Sequence, residues 1–216
     1  MSELLFNELP RPTFRWLRVN HTVSSLAGED TAVQSIAVEA NKDILSPLPV
    51  GTALLDGNYE GANKEAVHVL VEKAEGYAIN VPPKAKEVVG IRIDANARVA
   101  NRFQFIVGEG AELEVQFYVT GSGDALTNVN YLNEYDVKEA GRVVVKKVNL
   151  LPEHVQHIEH RYTKLEEKAD VEYINIEIGG SENILNYYHD LVGQESRMVH
   201  DIAYLGNKEQ KFDISM

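Results

Sequence analysis

Four segments of this 216-residue chain repeat an acidic, small-residue turn followed by an apolar strand. They cover residues 108–115, 138–145, 166–173 and 194–201. Aligned on Leu113, Val143, Val171 and Val199, they are spaced 30, 28 and 28 residues apart. A period between about 20 and 50 residues marks a solenoid, in which each unit buries its apolar face on the next. A second track, Phe105, Tyr131, Ile158, Leu185 and Phe212, recurs at 26, 27, 27 and 27 residues. Two strands per unit, joined at Gly121-Ser122-Gly123 and Gly179-Gly180, make a flattened β-helix.

The strands read clearly from period-2 alternation, which turns one face to a core and the other outward. It appears at Val89, Ile91 and Ile93, at Phe103, Phe105 and Val107, and at Leu113, Val115, Phe117 and Val119. Val67, Val69 and Val71 show the same pattern, so strands are expected from about Ala66 onward and no helical period is read. In the fourth repeat the inward set is either Met198, Ile202 and Tyr204 or Val199, Ala203 and Leu205. An antiparallel two-sheet sandwich is the alternative architecture. Hairpin dipeptides would favour it, and Asp56-Gly57, outside the repeats, is the sole Asn-Gly or Asp-Gly pair in the sequence.

Residues 1–60 read as an N-terminal arm and loop, and residues 61–216 as the β-helix core. The arm is punctuated by Pro10, Pro12, Pro47 and Pro49, carries an apolar patch at Phe14, Trp16, Leu17 and Val19, and is expected to contain at most one helical turn. Residues 51–61 are expected to form a loop.

A net charge of −12 argues against nucleic-acid or anionic-membrane partners, both of which select a positive field. The sequence has no cysteine, which excludes disulfides, thiolate ligands and a thiol nucleophile. The first residues show no signal-peptide pattern, and no run approaches the roughly 18 apolar residues of a membrane span. A cytoplasmic location is expected.

The densest group of potential ligands is His154, His157 and His160 with Glu153 and Glu159. Neither helix nor strand spacing gathers three histidines on one face, so a polar turn and a solvated strand edge are expected there. His189-Asp190 and His200-Asp201 flank a turn, but adjacent strand residues point to opposite faces. His200 is expected at a coil position where stacked polar side chains hydrogen-bond to their neighbours. Gly-x-Ser-x-Gly is absent, and Gly108-Glu109-Gly110 lacks a phosphate-binding continuation. Tyr187, Tyr188 and Tyr204 lie toward one end, as candidates for a binding face or for packing. No residue is assigned as catalytic, cofactor-binding or metal-ligating.

The opening run from Phe6-Asn7-Glu8-Leu9-Pro10 to Trp16-Leu17-Arg18-Val19-Asn20 resembles the N-terminal arm of SufD-type proteins, in the SufB/SufD family of iron–sulphur cluster assembly. Asn101-Arg102-Phe103 through Val107-Gly108-Glu109-Gly110-Ala111-Glu112-Leu113 is similar to that family's strand-turn-strand unit. So are Tyr173-Ile174-Asn175-Ile176-Glu177-Ile178-Gly179-Gly180 and His200-Asp201-Ile202-Ala203-Tyr204-Leu205-Gly206. The resemblance implies a right-handed parallel β-helix with two long strands per turn, acting as a non-catalytic SUF scaffold. The implied partners are a SufB-type or second SufD-type subunit and a SufC-type ABC ATPase docked on a C-terminal helical domain. No cofactor is implied in this chain, and an iron–sulphur cluster only transiently in the full complex.

The repeat is still running at Phe212, so the β-helix core is expected to be truncated at its C-terminal end; the family's helical domain and its cysteine and histidine positions lie beyond this point in related sequences. No cluster ligand carries over to any residue here. An uncapped last coil exposes strand edges and core, which predicts edge or end-to-end association, including a homodimer, through residues 201–214. Two other functional classes fit a β-helix. One is an intracellular or secreted carbohydrate-active enzyme using Glu112, Glu114, Glu172 and Glu177. The other is a generic interaction module.

Overall fold

A computed structural model describes residues 3–9, 20–25, 36–54, 59–122 and 127–216. The expected apolar patch of the arm, at Phe14, Trp16, Leu17 and Val19, lies outside them. Strands β1 (Leu4–Phe6) and β2 (Thr22–Ser24) pair antiparallel as a separate ribbon. β3 (Ile36–Glu39), β4 (Leu45–Leu48) and helix α1 (Lys64–Lys73) follow. The solenoid is then built from β5 (Gly76–Val81), β6 (Lys86–Asp94), β7 (Val99–Val107), β8 (Glu112–Thr120), β9 (Thr127–Val137) and β10 (Arg142–Asn149). It continues with β11 (Val155–Leu165), β12 (Asp170–Glu177), β13 (Glu182–Leu191), β14 (Arg197–Tyr204) and β15 (Lys211–Ser215).

Successive strands alternate between two sheets, giving about five turns. Sheet 1 runs β14-β12-β10-β8-β6-β3 and sheet 2 runs β15-β13-β11-β9-β7-β5-β4. Every pairing is parallel except those of β3 and β4, which close the N-terminal end antiparallel. The parallel ladders exclude the sandwich alternative.

The acidic turns are the corners that lead from sheet 2 into sheet 1. Lys84, Gly110, Ala140, Lys168 and Glu195 occupy equivalent left-handed positions, with φ between 53° and 62°. Such a backbone costs a non-glycine residue about 1 kcal/mol or more. Here the corner amides continue the stack: Lys84 N donates to Glu109 O at 2.9 Å, Gly110 N to Glu139 O at 2.9 Å, Ala140 N to Glu167 O at 2.8 Å and Lys168 N to Gln194 O at 2.8 Å. The repeated sequence phrase is therefore a hydrogen-bonded ladder of corners.

The register differs from the sequence spacing in two places. Val171 pairs with Met198, not Val199, so Met198, His200, Ile202 and Tyr204 form the inward set. Val192 and Gly193 both donate to Leu165 O, a one-residue bulge that lengthens the spacing from 26 residues at Leu165–Leu191 to 27 at Val171–Met198. In the second track, Phe105 pairs with Tyr135, while Tyr131 pairs with Glu159, which in turn pairs with Leu185. Ile158 faces outward.

Residues 64–73 are helical, not a strand. Asn63 caps the helix, its side-chain oxygen accepting from Ala66 N at 2.8 Å. Ala66, Val67 and Leu70 then lie on one face, and the valines that suggested alternation fall around the helix. That face covers the outer side of sheet 2 through Leu132, Tyr162, Ile158 and Ile184, together with Phe6 of β1. Arg102 binds the helix end and the preceding loop, with Nε donating to Ala74 O at 3.1 Å and Nη2 to Pro49 O at 2.7 Å. Covered on both sides, β9 and β11 are buried almost throughout, whereas sheet 1 alternates buried and outward residues.

Candidate functional site

The lumen changes character along its axis. Its first turns are filled by Val89, Ile91, Phe103, Phe105, Val115 and Phe117, with Phe105 stacked on Tyr135 at 4.5 Å. Further on, inward positions of β10 to β14 carry Lys147, Asn149, His157, Glu159, Arg161, Asn175, Glu177, Asn183, His189 and His200. Alternation fixes these residues inward, and the stacking of turns brings their partners opposite.

Lys147, Glu159, Arg161 and Glu177 are fully buried. The Lys147 ammonium contacts both Glu159 and Glu177. Arg161 Nε donates to Glu159 Oε1 at 3.0 Å, and its guanidinium lies between the rings of Tyr173 and Tyr187, at 4.3 and 4.2 Å from their centroids. Two cations thus offset two carboxylates in a water-poor interior, the condition under which buried charge is tolerated. Burial opposes ionisation of Glu159, but Arg161 and Lys147 outweigh it and hold its carboxyl far below the usual range. Burial likewise disfavours the Arg161 cation, and Glu159 more than reverses this.

Tyrosines complete the acceptor shell of Glu159. The Tyr131 and Tyr187 hydroxyls each donate to Oε2 at 3.2 Å, and Asn133 Nδ2 donates to Oε1 at 2.9 Å. Burial, reinforced by Glu159, pushes both phenols well above their ordinary pKa and keeps them donors. The Tyr131 hydroxyl also lies 3.1 Å from His157 Nε2, and His157 Nδ1 lies 3.1 Å from Asn183 Oδ1. Burial, then Lys147, lowers the pKa of His157 to about 4. Glu177 lies 3.7 Å from His157 Nδ1, and neither of its oxygens accepts an aligned hydrogen bond.

The structure divides the histidine group read from the sequence. His157 and Glu159 line the lumen. His160 faces the other way yet is also buried, accepting from Ala62 N at 3.0 Å beneath the N-terminal layer. Burial lowers its pKa to about 3. The expected solvated strand edge is thus overturned: both faces of β11 are covered. His154 stays in the corner. His200 does stack among polar neighbours, with Nε2 2.9 Å from Asn175 Nδ2. His189 and His200 face inward near the last turn, and their partner aspartates face outward. Their pKa values are lowered to about 4 and about 3, by burial first and then Arg161. Tyr187 lines the lumen, whereas Tyr188 and Tyr204 are 44% and 62% exposed. Glu112, Glu114 and Glu172 face outward on sheet 1 and Glu177 inward, so these carboxylates do not share a groove.

Sequence reading missed the ion cluster. Its signal was the placement of Lys147 and Asn149 where Phe117 and Val119 stand one turn earlier, a break in an otherwise apolar column.

A family model described as SUF system FeS cluster assembly, SufBD core domain, matches residues 91–216. The chain belongs to the SufBD core-domain family. Comparison with curated proteins and with solved structures finds no match. SufBD membership implies a role in SUF iron–sulphur cluster assembly, and the matched region spans the solenoid from β6 onward. In this SufBD chain the cluster, as cargo, meets no evident ligand set: cysteine is lacking, and among the described residues no three His, Asp or Glu side chains gather to hold a metal. Its buried carboxylates are engaged by Lys147 and Arg161. Among the described residues no helix is long and apolar enough to cross a membrane.

Proposed function

We propose that this SufBD chain is a non-catalytic, SufD-like scaffold subunit that works in the cytoplasm with a SufB-type subunit and a SufC-type ABC ATPase. The observation that carries the reading is the family match over a solenoid whose lumen charges are neutralised against one another. Groups tied up in this way hold a shape, and the chain offers no thiolate to a cluster. In this reading the ligands come from its partners, and residues 61–216 are the core that the N-terminal residues 1–60 support. Pairing, with a SufB-type subunit or a second copy, uses the last turns near residues 201–214, where Tyr204 and Leu205 are 62% and 66% exposed.

Co-expression of the tagged chain with the cognate SufB-type subunit and ATPase tests this. Co-purification with the SufB-type subunit, weakened by Tyr204→Asp or Leu205→Asp, is the expected result. Elution of the chain free of both partners overturns the proposal.

A further inference from the structure

The β1–β2 ribbon lies far from β15 in sequence yet is bonded to it. On the outer face of sheet 2 it touches three successive strands. Ser24 Oγ accepts from Gln156 Nε2 of β11 at 2.7 Å and donates to Glu182 Oε2 of β13 at 2.5 Å. Asn7 Nδ2 donates to Leu185 O at 3.3 Å, and its Oδ1 accepts from Asn186 Nδ2 at 3.1 Å. At β15 both arms of the ribbon meet a single carboxylate: Asn7 Nδ2 donates to Asp213 Oδ1 at 3.0 Å, and Thr22 Oγ1 donates to Oδ2.

The same ribbon is anchored to the N-terminal layer. Phe6 is fully buried with Ala62, Ala66, Ile158 and Ile184. Asn7 N donates to Ala62 O at 2.7 Å, and Asn63 Nδ2 to Leu5 O at 2.9 Å. Asn7 holds a left-handed backbone, φ 49°, which asparagine tolerates better than most residues and which aims its amide at the last turn.

We propose that the β1–β2 ribbon is a clamp that holds β15 and β13 in place on sheet 2, and that releasing it loosens both strands beside the lumen histidines His189 and His200. β15 is five residues long, and its inward Phe212 and Ile214 are only half-buried. Its other ties include the ladder to β13, the Lys211 N–Ser181 O bond, the Phe212–Tyr204 ring contact and the corner bonds of Gln210 and Lys208. The clamp adds two hydrogen bonds to a carboxylate, the stronger class of such bonds. β13 carries Tyr187 and His189 on its inner face, so loosening β15 and β13 increases access to the lumen beside Arg161 and His200.

Hydrogen exchange read by mass spectrometry, combined with diethylpyrocarbonate labelling of histidines, tests the clamp on the full chain. Two variants release it from opposite sides: Asn7→Ala with Thr22→Val on the ribbon, and Asp213→Asn on β15. Expected in both is a rise of about tenfold in exchange over residues 182–191 and 211–215, from local opening. Residues 99–107 should remain at the wild-type rate, and His189 and His200 should label several-fold faster while His157 does not. Unchanged exchange at 211–215 in the ribbon variant, or an equal rise at 99–107, overturns the clamp. Should Asp213→Asn fail to fold, the ribbon variant alone decides, since its substitutions leave β15 intact.

Discussion

Replacing Lys147 by methionine removes one cation from between two buried carboxylates. Glu159 retains Arg161, but Glu177 loses the only cation in ion-pair contact with it among the described residues, apart from the neutral His157 nearby. Removing one partner of a buried ion pair costs about 3–5 kcal/mol, because the remaining charge stays in a poorly solvating interior. Lys147→Met should therefore lose about that much at pH 7.5. With a urea slope of about 3 kcal/mol/M for a chain of this size, the unfolding midpoint falls by about 1 to 2 M. Adding Glu177→Gln removes the orphaned charge and leaves Arg161 with Glu159 as a neutral pair. The double variant should thus be more stable than Lys147→Met alone, although it has one more substitution in the lumen. Urea unfolding followed by circular dichroism, with midpoint and slope fitted separately, measures both. A midpoint shift below about 0.3 M for Lys147→Met, or a double variant no better than the single one, would refute a dry, charge-balanced lumen.

Acid should weaken the fold well before the carboxylates titrate. His157 and His160 are held neutral with pKa values of about 4 and about 3, below the roughly 6.5 of the unfolded chain. Their contribution is complete above pH 6.5 or so and is lost as pH falls toward those folded values, because the unfolded state takes up protons first. Full loss for His157 amounts to about 3 kcal/mol. Urea midpoints should be clearly lower at pH 4.5 than at pH 7.5, and flatter with pH for His160→Gln; equal wild-type midpoints contradict this. At the corners, a Cβ on Gly179 would stand 2.1 Å from Leu151 N and 2.3 Å from its carbonyl, whereas one on Gly51 meets nothing within 4 Å. Gly179→Ala should lower the melting temperature several times more than Gly51→Ala, whose φ of 77° costs about 1 kcal/mol. Similar melts for the two would count against the tight corner.

Repetition was legible because stacking demands it. Each corner hydrogen-bonds to the next, so matching positions must carry residues compatible with the same backbone, and Leu113, Val143 and Val171 do align as read. The last register was not legible, because Val192 adds one residue at a corner while the alternation on either side remains locally self-consistent. Helix α1 was hidden for a related reason: Val67, Val69 and Val71 satisfy a strand pattern as well as a helical one. The Asn63 cap and the uncovered outer face of sheet 2 decided between them.

By itself the sequence determined the two-strand solenoid, its acidic corners and, through its phrases, its SufBD kinship. Tertiary structure alone decided where the charges of β11 go. Gln156 to Lys164 reads as a mostly polar strand in which only Ile158 and Tyr162 are large and apolar or aromatic. Its inward charges become tolerable only because Lys147, 12 residues before Glu159, and the tyrosines of neighbouring turns are stacked against them. A linear pattern records which residues are polar. Whether a charge can leave water depends on what stands within hydrogen-bonding distance, and the winding of the chain sets that.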